Sequence, residues 1–364
     1  MTASASMMSN FELLLSGDFL DADGQSIGDL ALDLLAANPS VHHTFIDSQR
    51  PRQDDPSYQD RLYNLQIQPA EVAAADALVI CRPWVKASAF AEGAPRLVGI
   101  GRAGIGYDKI DLAACTANDV VVFNSPFGLT HSTASAALIL MLSLARRLNL
   151  QQHLVRTHRW DRQKDAIGLD LIGCTLGIVG LGRTGMELAR LVAPFQMRLI
   201  AFSPHADPAE AARLGVTLVD RLDDVLRESD FVSLHGRLTP QTREMIGHRE
   251  LALMKPTAYF VNVARGEMVD EPALIAALRE SRIAGAGLDV FEEEPLPPTS
   301  PLLTLDNVIL TPHWLCSTRQ AGRATMADVL KGILKIARGE LPDNILNTDV
   351  IERPGFQQKL NRYA

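Results

Sequence analysis

The chain of 364 residues lacks the marks of several functional classes. Its four cysteines lie far apart without a C-x-x-C pair, which argues against a disulfide framework or a zinc site and favours small buried thiols in a reducing compartment. The formal net charge of −8 disfavours a nucleic-acid or acidic-membrane partner, since both need a basic face. The longest apolar stretch, residues 134–145, is shorter than the ~20 residues that cross a bilayer.

A secretory signal is not expected. The first ten residues have neither a basic segment nor a long apolar segment, so a cytoplasmic location is expected. No internal repeat or low-complexity segment is present. The length allows two domains, and the composition, 47% hydrophobic and 21% charged, is typical of a globular protein with full cores.

Residues 175–185 are the most informative stretch. They read Thr-Leu-Gly-Ile-Val-Gly-Leu-Gly-Arg-Thr-Gly, an apolar run followed by G-x-G-x-x-G, and apolar residues at helical spacing come next. In such a strand–turn–helix, Gly180 permits the tight turn, Gly182 lets the backbone approach a pyrophosphate, and Gly185 lets helix and strand pack closely. Because a helix N-terminus also attracts phosphate, the stretch predicts dinucleotide binding.

Strands alternate with helices along most of the chain, which predicts parallel α/β sheets. In the first part, strands are expected over 11–15, 41–46, 77–81, 97–100 and 120–123, and helices over 27–37 and 110–117. In the second part, strands are expected over 175–180, 197–203, 216–219, 230–235, 258–263, 283–289 and 307–311, which predicts a doubly wound sheet. A last helix is expected over 321–338, and residues 341–364 show little periodicity and are expected to form a tail.

A predicted helix over residues 132–148 is apolar on nearly every side. Such a helix must be covered on more than one side. Its own chain provides one cover. The second is either another subunit or a second domain of the same chain, and the sequence alone leaves both open.

Four polar residues are predicted at the carboxyl ends of strands, where doubly wound sheets bind their ligands. They are His235, Arg265, Asp289 and His313. Glu294 lies 19 residues before His313, so only the fold can bring these two side chains together.

Arg265, Glu294 and His313 suit the reduction of a carbonyl by hydride. A nicotinamide supplies the hydride, so the protein must supply a proton and hold the substrate. A histidine donates a proton near neutrality, and a carboxylate beside it favours the charged ring and sets its tautomer. An arginine clamps a substrate carboxylate with its planar fork of donors. Backbone N–H groups of the glycine-rich loop Ala103, Gly104 and Ile105 are candidates for the other carboxylate oxygen.

Each residue, taken singly, has a structural alternative. Arg265 could be a surface arginine that pairs with Asp270. Glu294 could be one acid of a solvated run, and His313 a satisfied histidine after a proline turn. Asp289 could cap a strand end.

The motifs together resemble the D-isomer-specific 2-hydroxyacid dehydrogenase family. The resemblance rests on residues 180–185, 261–270, 285–295, 310–313, 102–108 and 123–126, and it covers about residues 75–345. It implies a doubly wound (Rossmann) cofactor domain, residues 126–317, inserted in a flavodoxin-like α/β substrate domain, residues 1–125 plus 318–364. It also implies a homodimer and a nicotinamide cofactor.

The resemblance further implies roles for individual residues. His313 is the acid/base, Glu294 its partner and Arg265 the substrate anchor. Contacts to the cofactor are implied for Gly180, Gly182, Arg183, Thr184, Gly185, Ser203, His235, Thr242, Val263, Arg265, Asp289 and His313. Contacts to the substrate are implied for Ala103, Gly104, Ile105 and Arg265.

Four departures from the family pattern bear on specificity. Ser203 stands where an acidic residue for the ribose hydroxyls is expected, about 20 positions after the glycines. No carboxylate there repels a 2′-phosphate and no arginine is adjacent to attract one, so NAD is favoured and NADP stays open. Arg237 replaces a usual proline, residues 133–136 depart from a common Ala-Glu-His run, and the bulky Trp314 follows the histidine.

The implied activity is hydride transfer between a nicotinamide cofactor and a 2-keto acid or D-2-hydroxy acid. Glyoxylate, hydroxypyruvate and 3-phosphoglycerate are candidate substrates. Arg82 and Trp84 either contact a larger acid or are a surface arginine and a packed tryptophan. The alternative function is an NAD(H)-sensing, corepressor-like binding protein of the same fold.

Overall fold

The computed structural model describes residues 11–364, which form two compact units. Unit 1 combines the residues before Thr130 with Thr318–Ala364, and unit 2 comprises Thr130–Ser317. The expectation about a signal in residues 1–10 lies outside the described residues. Within residues 11–364, no single helix is long and apolar enough to cross a membrane. The helices Thr130–Ala145 and Leu148–Arg156, which meet at a bend of 59°, together have the length and apolar composition of a membrane span, but by these two criteria only.

Unit 1 is built on a parallel five-stranded sheet. Its strands are β1 (Phe11–Leu15), β2 (Val41–Phe45), β3 (Ala77–Ile80), β4 (Gly99–Arg102) and β5 (Val121–Asn124). The helices of this first segment are α1 (Asp33–Ala36), α2 (Tyr58–Asn64), α3 (Pro69–Ala74) and α4 (Leu112–Ala117). The strand order β2-β1-β3-β4-β5 is that of flavodoxin-like sheets, as predicted.

Unit 2 is built on a parallel seven-stranded sheet. Its helices are α5 (Thr130–Ala145), α6 (Leu148–Arg156), α7 (Arg183–Val192), α8 (Pro208–Arg213), α9 (Leu222–Glu228), α10 (His248–Leu253) and α11 (Glu271–Arg279). Its strands are β6 (Thr175–Val179), β7 (Arg198–Phe202), β8 (Val216–Leu218), β9 (Phe231–Leu234), β10 (Tyr259–Asn262), β11 (Gly285–Leu288) and β12 (Val308–Leu310). In the order β12-β11-β10-β9-β6-β7-β8, the winding reverses between β6 and β9, so the doubly wound prediction is confirmed.

The chain returns to unit 1 through α12 (Arg319–Ile336) and α13 (Pro354–Leu360). The prediction of a tail without periodicity over residues 341–364 is wrong. Pro354 occupies the first turn of α13, where its fixed φ suits a helix start. Phe356 and Leu360, four residues apart, are buried in the core of unit 1.

Two further helix predictions need correction. The helix expected over residues 27–37 is limited to α1, since Gly28 and Ala31 adopt positive φ. The apolar helix ends at Ala145, and the chain turns at Arg147 with φ +49 before α6 begins. A methyl added to Gly287 of β11 would lie 2.9 Å from Leu140 Cβ, so α5 packs closely on the sheet of its own unit.

Candidate active site in unit 2

The predicted polar residues lie at the carboxyl ends of the strands of unit 2. His235 directly follows β9, and Asp289 directly follows β11. Arg265 and His313 each come three residues after a strand, β10 and β12 respectively. Because parallel strands end at the same edge of a sheet, this topology places all four residues on the ligand-binding edge.

His313 and Glu294 form a direct pair. His313 Nδ1 lies 2.7 Å from Glu294 Oε2, and the Phe291 backbone N–H donates to Glu294 Oε1 at 3.2 Å. Burial alone would raise the pKa of Glu294, but these hydrogen bonds and the charges of His313 and Arg265 bring its pKa below the ordinary value. Glu294 is therefore ionised at neutral pH, and its Oε2 accepts a hydrogen bond from the Nδ1–H of His313. Nε2 is then the ring nitrogen left to exchange a proton with a ligand.

The backbone of His313 adopts an uncommon conformation. Its φ is +51°, in the left-handed region that few non-glycine residues occupy, and its N–H donates to the Thr311 carbonyl at 3.0 Å. Residues in such conformations cluster at functional sites, where the surrounding structure must hold them.

Asp289 holds the loop that carries His313. Its Oδ1 accepts hydrogen bonds from Thr311 Oγ1 at 2.6 Å, Trp314 N at 3.1 Å and Leu315 N at 3.2 Å. Burial raises the pKa of Asp289, and these hydrogen bonds with the charge of His313 act against that rise. The sequence did not predict the hydrogen bond between Thr311 and Asp289. It predicted a cofactor contact for Asp289, but not that Asp289 also binds the loop that carries His313.

Arg265 is held by the loop that it belongs to. The buried Asn262 donates from Nδ2 to the Arg265 carbonyl at 2.9 Å and accepts from the Ala264 N–H at 3.0 Å. The Arg265 guanidinium donates to the Ala264 carbonyl at 2.8 Å. Asn262 was missed by sequence reasoning, although a polar residue in an otherwise apolar strand was the available signal.

The loops after β10 and β11 are packed backbone to backbone. A Cβ at Gly266 would overlap the Phe291 carbonyl, so only glycine fits at this contact. Beside it, Glu271 Oε2 accepts from the Glu292 N–H at 3.1 Å. Arg265 and Glu294 therefore stand on two loops that are fixed to each other.

The three glycines after β6 have distinct surroundings. Gly180 has φ +95°, and a Cβ there would lie 2.6 Å from the Gly236 nitrogen. A Cβ at Gly185 would lie 2.5 Å from the Gly180 oxygen, which fits close packing of helix and strand. A Cβ at Gly182, by contrast, meets no atom within 4 Å. The space at Gly182, the residue before α7, is therefore open, and we call this space the cradle.

The other residues that are expected to contact the cofactor lie at the same edge of the sheet or beside it. Ser203 directly follows β7, and Val263, after β10, is buried. Arg183 is the exposed first residue of α7, and the half-buried Thr184 follows it. Thr242 donates from Oγ1 to the Arg237 carbonyl at 2.7 Å and so shapes the loop after β9.

His235 is a half-buried, neutral histidine with one buried and unsatisfied ring nitrogen. Its Nε2 lies 2.8 Å from Ser233 Oγ, and its Nδ1 has no hydrogen-bond partner among the described residues. Burial lowers the pKa of His235 to about 4, so the ring is uncharged at neutral pH. A buried nitrogen of this kind is a candidate to meet a ligand group.

The predicted substrate loop belongs to unit 1. Ala103, Gly104 and Ile105 follow β4, and Gly104 has φ +137°. Asn124 Nδ2 donates to the Ile105 carbonyl at 2.7 Å, and the Ser125 N–H donates to the Gly104 carbonyl at 3.3 Å. Their contact with the substrate stays a prediction.

Comparison with known proteins identifies relatives along most of the chain. Residues 138–314 match the family described as D-isomer specific 2-hydroxyacid dehydrogenase, NAD binding domain. A D-3-phosphoglycerate dehydrogenase of Methanocaldococcus jannaschii is 41% identical over 292 residues, which are 80% of this chain and 55% of the relative. The chain thus spans about half the length of that enzyme.

Two reductases match over more of their length. A glyoxylate reductase of Korarchaeum cryptofilum is 43% identical over 272 residues, 73% of this chain and 81% of the relative. The crystal structure of a glyoxylate reductase from Paecilomyes thermophila is similar with a TM-score of 0.77 and 27% identity, covering 93% of this chain and 99% of that chain.

Proposed function

Because the chain belongs to the D-isomer specific 2-hydroxyacid dehydrogenase family, we propose that it reduces a 2-keto acid to a D-2-hydroxy acid, or catalyses the reverse reaction. The family comprises oxidoreductases that transfer a hydride between a 2-hydroxy acid and a 2-keto acid, and residues 138–314 match its NAD-binding domain. The observation that carries the proposal is the 2.7 Å pair of His313 and Glu294 at the carboxyl edge of the sheet.

Unit 2 binds the cofactor in this proposal and carries Arg265, Glu294 and His313. The backbone N–H groups of residues 103–105 stay the proposed donors to the substrate carboxylate.

The residues of the chain handle the proton and the substrate. The nicotinamide cofactor, when bound, would supply the hydride for the reduction as NADH and would accept it in the reverse reaction as NAD. His313 donates a proton from Nε2 to the carbonyl oxygen during reduction, and Glu294 stabilises the charged ring that precedes this transfer. Arg265 binds the substrate carboxylate and polarises the neighbouring carbonyl. In the reverse reaction His313 accepts the hydroxyl proton.

The surroundings of the glycine turn fit a dinucleotide. The cradle at Gly182 is open, α7 directs its first N–H groups there, and the neighbouring His235 carries an unsatisfied buried nitrogen. Gly180, Gly182, Arg183 and Thr184 would hold the pyrophosphate, and His235, Thr242 and Val263 would line the cleft.

Substitution of Gly182 by alanine is expected to weaken NADH binding at least ~10-fold without destabilising the protein. The backbone there is extended, with φ −84° and ψ −165°, and the added methyl meets no protein atom, so it fills only the proposed ligand space. Titration of NADH by fluorescence and thermal unfolding measure the two effects. Gly322→Ala is the matched control, because Gly322 of α12 is equally open, and this variant should keep the affinity for NADH. Unchanged NADH affinity in Gly182→Ala would contradict the proposal that the cofactor occupies the space at Gly182.

NAD rather than NADP is the proposed cofactor. Ser203 at the end of β7 leaves the ribose hydroxyls without the usual carboxylate, yet no arginine is adjacent to it to pair with a 2′-phosphate. Oxidation of NADH and of NADPH with glyoxylate, hydroxypyruvate and phosphohydroxypyruvate tests activity and cofactor together. Faster turnover with NADH supports the proposal, and no turnover with any acid would refute it.

A homodimer is also proposed, through the surface of α5, α6 and the segment after α6. Large apolar side chains are exposed there; they are Ile139 at 51%, Leu148 at 51%, Val155 at 52%, Trp160 at 62%, Ile167 at 74% and Ile172 at 61%. Light scattering should give about twice the chain mass of 39.7 kDa, and a monomer would count against this surface as a dimer contact.

A further inference from the structure

The loop that carries His313 begins at Thr311 and is stiff from its first residue. Thr311 directly follows β12, and its N–H donates to the Leu288 carbonyl at 2.9 Å, which extends the pairing of β11 and β12. The next residue, Pro312, has a fixed φ and no N–H. We call residues 311–315 the histidine loop.

One carboxylate oxygen binds the histidine loop at three points. Asp289 Oδ1 accepts hydrogen bonds from Thr311 Oγ1 at 2.6 Å, from Trp314 N at 3.1 Å and from Leu315 N at 3.2 Å. The bond from Thr311 is the shortest of the three, and it is the one that a side chain makes. A substitution can therefore remove it while the main chain stays intact. Because Asp289 is buried, the loss of a donor leaves part of a buried carboxylate unsatisfied.

The Thr311 hydroxyl also supports the charge of Asp289. Burial raises the pKa of Asp289, and the hydrogen bond from Thr311 is the largest of the interactions that act against this rise. An ionised carboxylate accepts stronger hydrogen bonds than a protonated one. Loss of the hydroxyl would therefore also weaken the two bonds that Asp289 accepts from the backbone of the histidine loop.

His313 depends on this attachment for its conformation. Its φ of +51° is unfavourable for a side-chain-bearing residue and persists only where the surrounding structure holds it. Its N–H donates to the Thr311 carbonyl at 3.0 Å, so the two residues move together. A looser histidine loop would relax this conformation and carry the ring away from Glu294, which lies 2.7 Å from Nδ1.

The groups that His313 works with are held independently of the histidine loop. Glu294 Oε1 accepts the Phe291 N–H at 3.2 Å. Asn262 Nδ2 donates to the Arg265 carbonyl at 2.9 Å. A change in the histidine loop should therefore displace His313 and leave its two partners in place.

We propose that Thr311 is a positioning residue for His313, because its hydroxyl, through Asp289, holds the histidine loop so that the imidazole stays paired with Glu294. This inference deepens the proposed function, on which its kinetic part rests. Thr311 touches neither substrate nor cofactor in it. A displacement of a reacting group by about 1 Å can lower a rate by about 10²-fold, so a single hydroxyl of this kind has a measurable effect.

The kinetic test compares two substitutions of the same residue. Thr311→Val removes the hydroxyl at nearly constant volume, whereas Thr311→Ser keeps it. We expect Thr311→Val to lower kcat by about 10- to 100-fold and to change KM and the affinity for NADH by less than about 3-fold. Thr311→Ser should keep kcat within about 3-fold of the wild type.

Two further variants protect this test. Thr304→Val removes a hydroxyl that donates to the Pro301 carbonyl at 2.9 Å, before the amino end of β12, and it should keep kcat. Thr311→Ala removes the hydroxyl without placing a methyl group against Asp289, and it replaces Thr311→Val if that variant unfolds. Wild-type kcat in a folded variant without the hydroxyl, or an equal loss in Thr311→Ser, would overturn the inference.

Nuclear magnetic resonance measures the position of His313 without any reaction. In protein labelled with ¹⁵N-histidine, correlation of the ring nitrogens with the carbon-bound ring protons reports which nitrogen carries the proton, and His313→Gln assigns the signals. We expect a proton on Nδ1 in the wild type and in Thr311→Ser, and a mixture of tautomers in Thr311→Val. The signals of His131, paired with Glu187 at 2.7 Å, should not change. Unchanged His313 signals in Thr311→Val would overturn the inference.

Failure of the proposed function is a distinct outcome. If the wild type oxidises neither NADH nor NADPH with any 2-keto acid, the enzyme assignment fails and the kinetic comparison has no baseline. The resonance experiment then decides alone: a changed tautomer in Thr311→Val supports the positioning of His313 by Thr311, and an unchanged one refutes it.

Discussion

His313→Gln is expected to lower kcat by about 10²- to 10⁴-fold while NADH still binds with nearly the same affinity. Glutamine can occupy the space beside Glu294, but it cannot donate a proton to a carbonyl oxygen as an imidazolium does. Steady-state kinetics with the best 2-keto acid measure the loss, and fluorescence titration of NADH measures the binding that should persist.

A second histidine–carboxylate pair in unit 2 offers a control. His131 Nδ1 lies 2.7 Å from Glu187 Oε1, the same distance as between His313 and Glu294, but on α5 and α7 rather than at the strand ends. His131→Gln should keep kcat within a small factor. Equal turnover in His313→Gln and wild type would remove the acid/base role.

Arg265→Ala is expected to reduce kcat/KM for 2-keto acids by about 10²- to 10³-fold, mainly through a higher KM. The variant loses the bidentate donors for the substrate carboxylate. The main chain of the loop should persist, because Asn262 holds the Arg265 carbonyl and the Ala264 N–H independently of the guanidinium. Initial rates over a range of substrate concentrations separate KM from kcat.

Arg249→Ala is the control for the loss of an arginine in the same unit. The exposed Arg249 of α10 pairs at 2.9 Å with the buried carboxylate of Asp223 in α9, and its removal should leave KM unchanged. Glycolaldehyde, which lacks the carboxylate of glyoxylate, provides the second comparison. An equal fractional loss on both compounds would mean that Arg265 does not bind the carboxylate.

The fold and the family could be predicted because their signals are local. The G-x-G-x-x-G turn lies between its strand and helix, and the family relation and the α/β class are confirmed. His235, Arg265, Asp289 and His313 follow strands in the sequence, so their common edge follows from parallel topology.

The supporting contacts of the site could not be predicted, because they join residues far apart in sequence. Thr311 bonds Asp289 across 22 residues, and Gly266 lies against Phe291 across 25. Helix α13 was missed because only seven residues form it and its burial depends on the rest of unit 1. Short elements of this kind owe their stability to tertiary packing rather than to propensity.

The transfer of deuterium from NADH labelled at C4 of the nicotinamide tests the central claim most directly. The protein is supplied with a 2-keto acid in ordinary water, and the product is analysed for its chirality and for label at C2. We predict a D-2-hydroxy acid with one deuterium at C2, formed much more slowly by His313→Gln. A protein that binds NADH but forms no labelled hydroxy acid from any 2-keto acid would contradict the account and favour a nucleotide-sensing role.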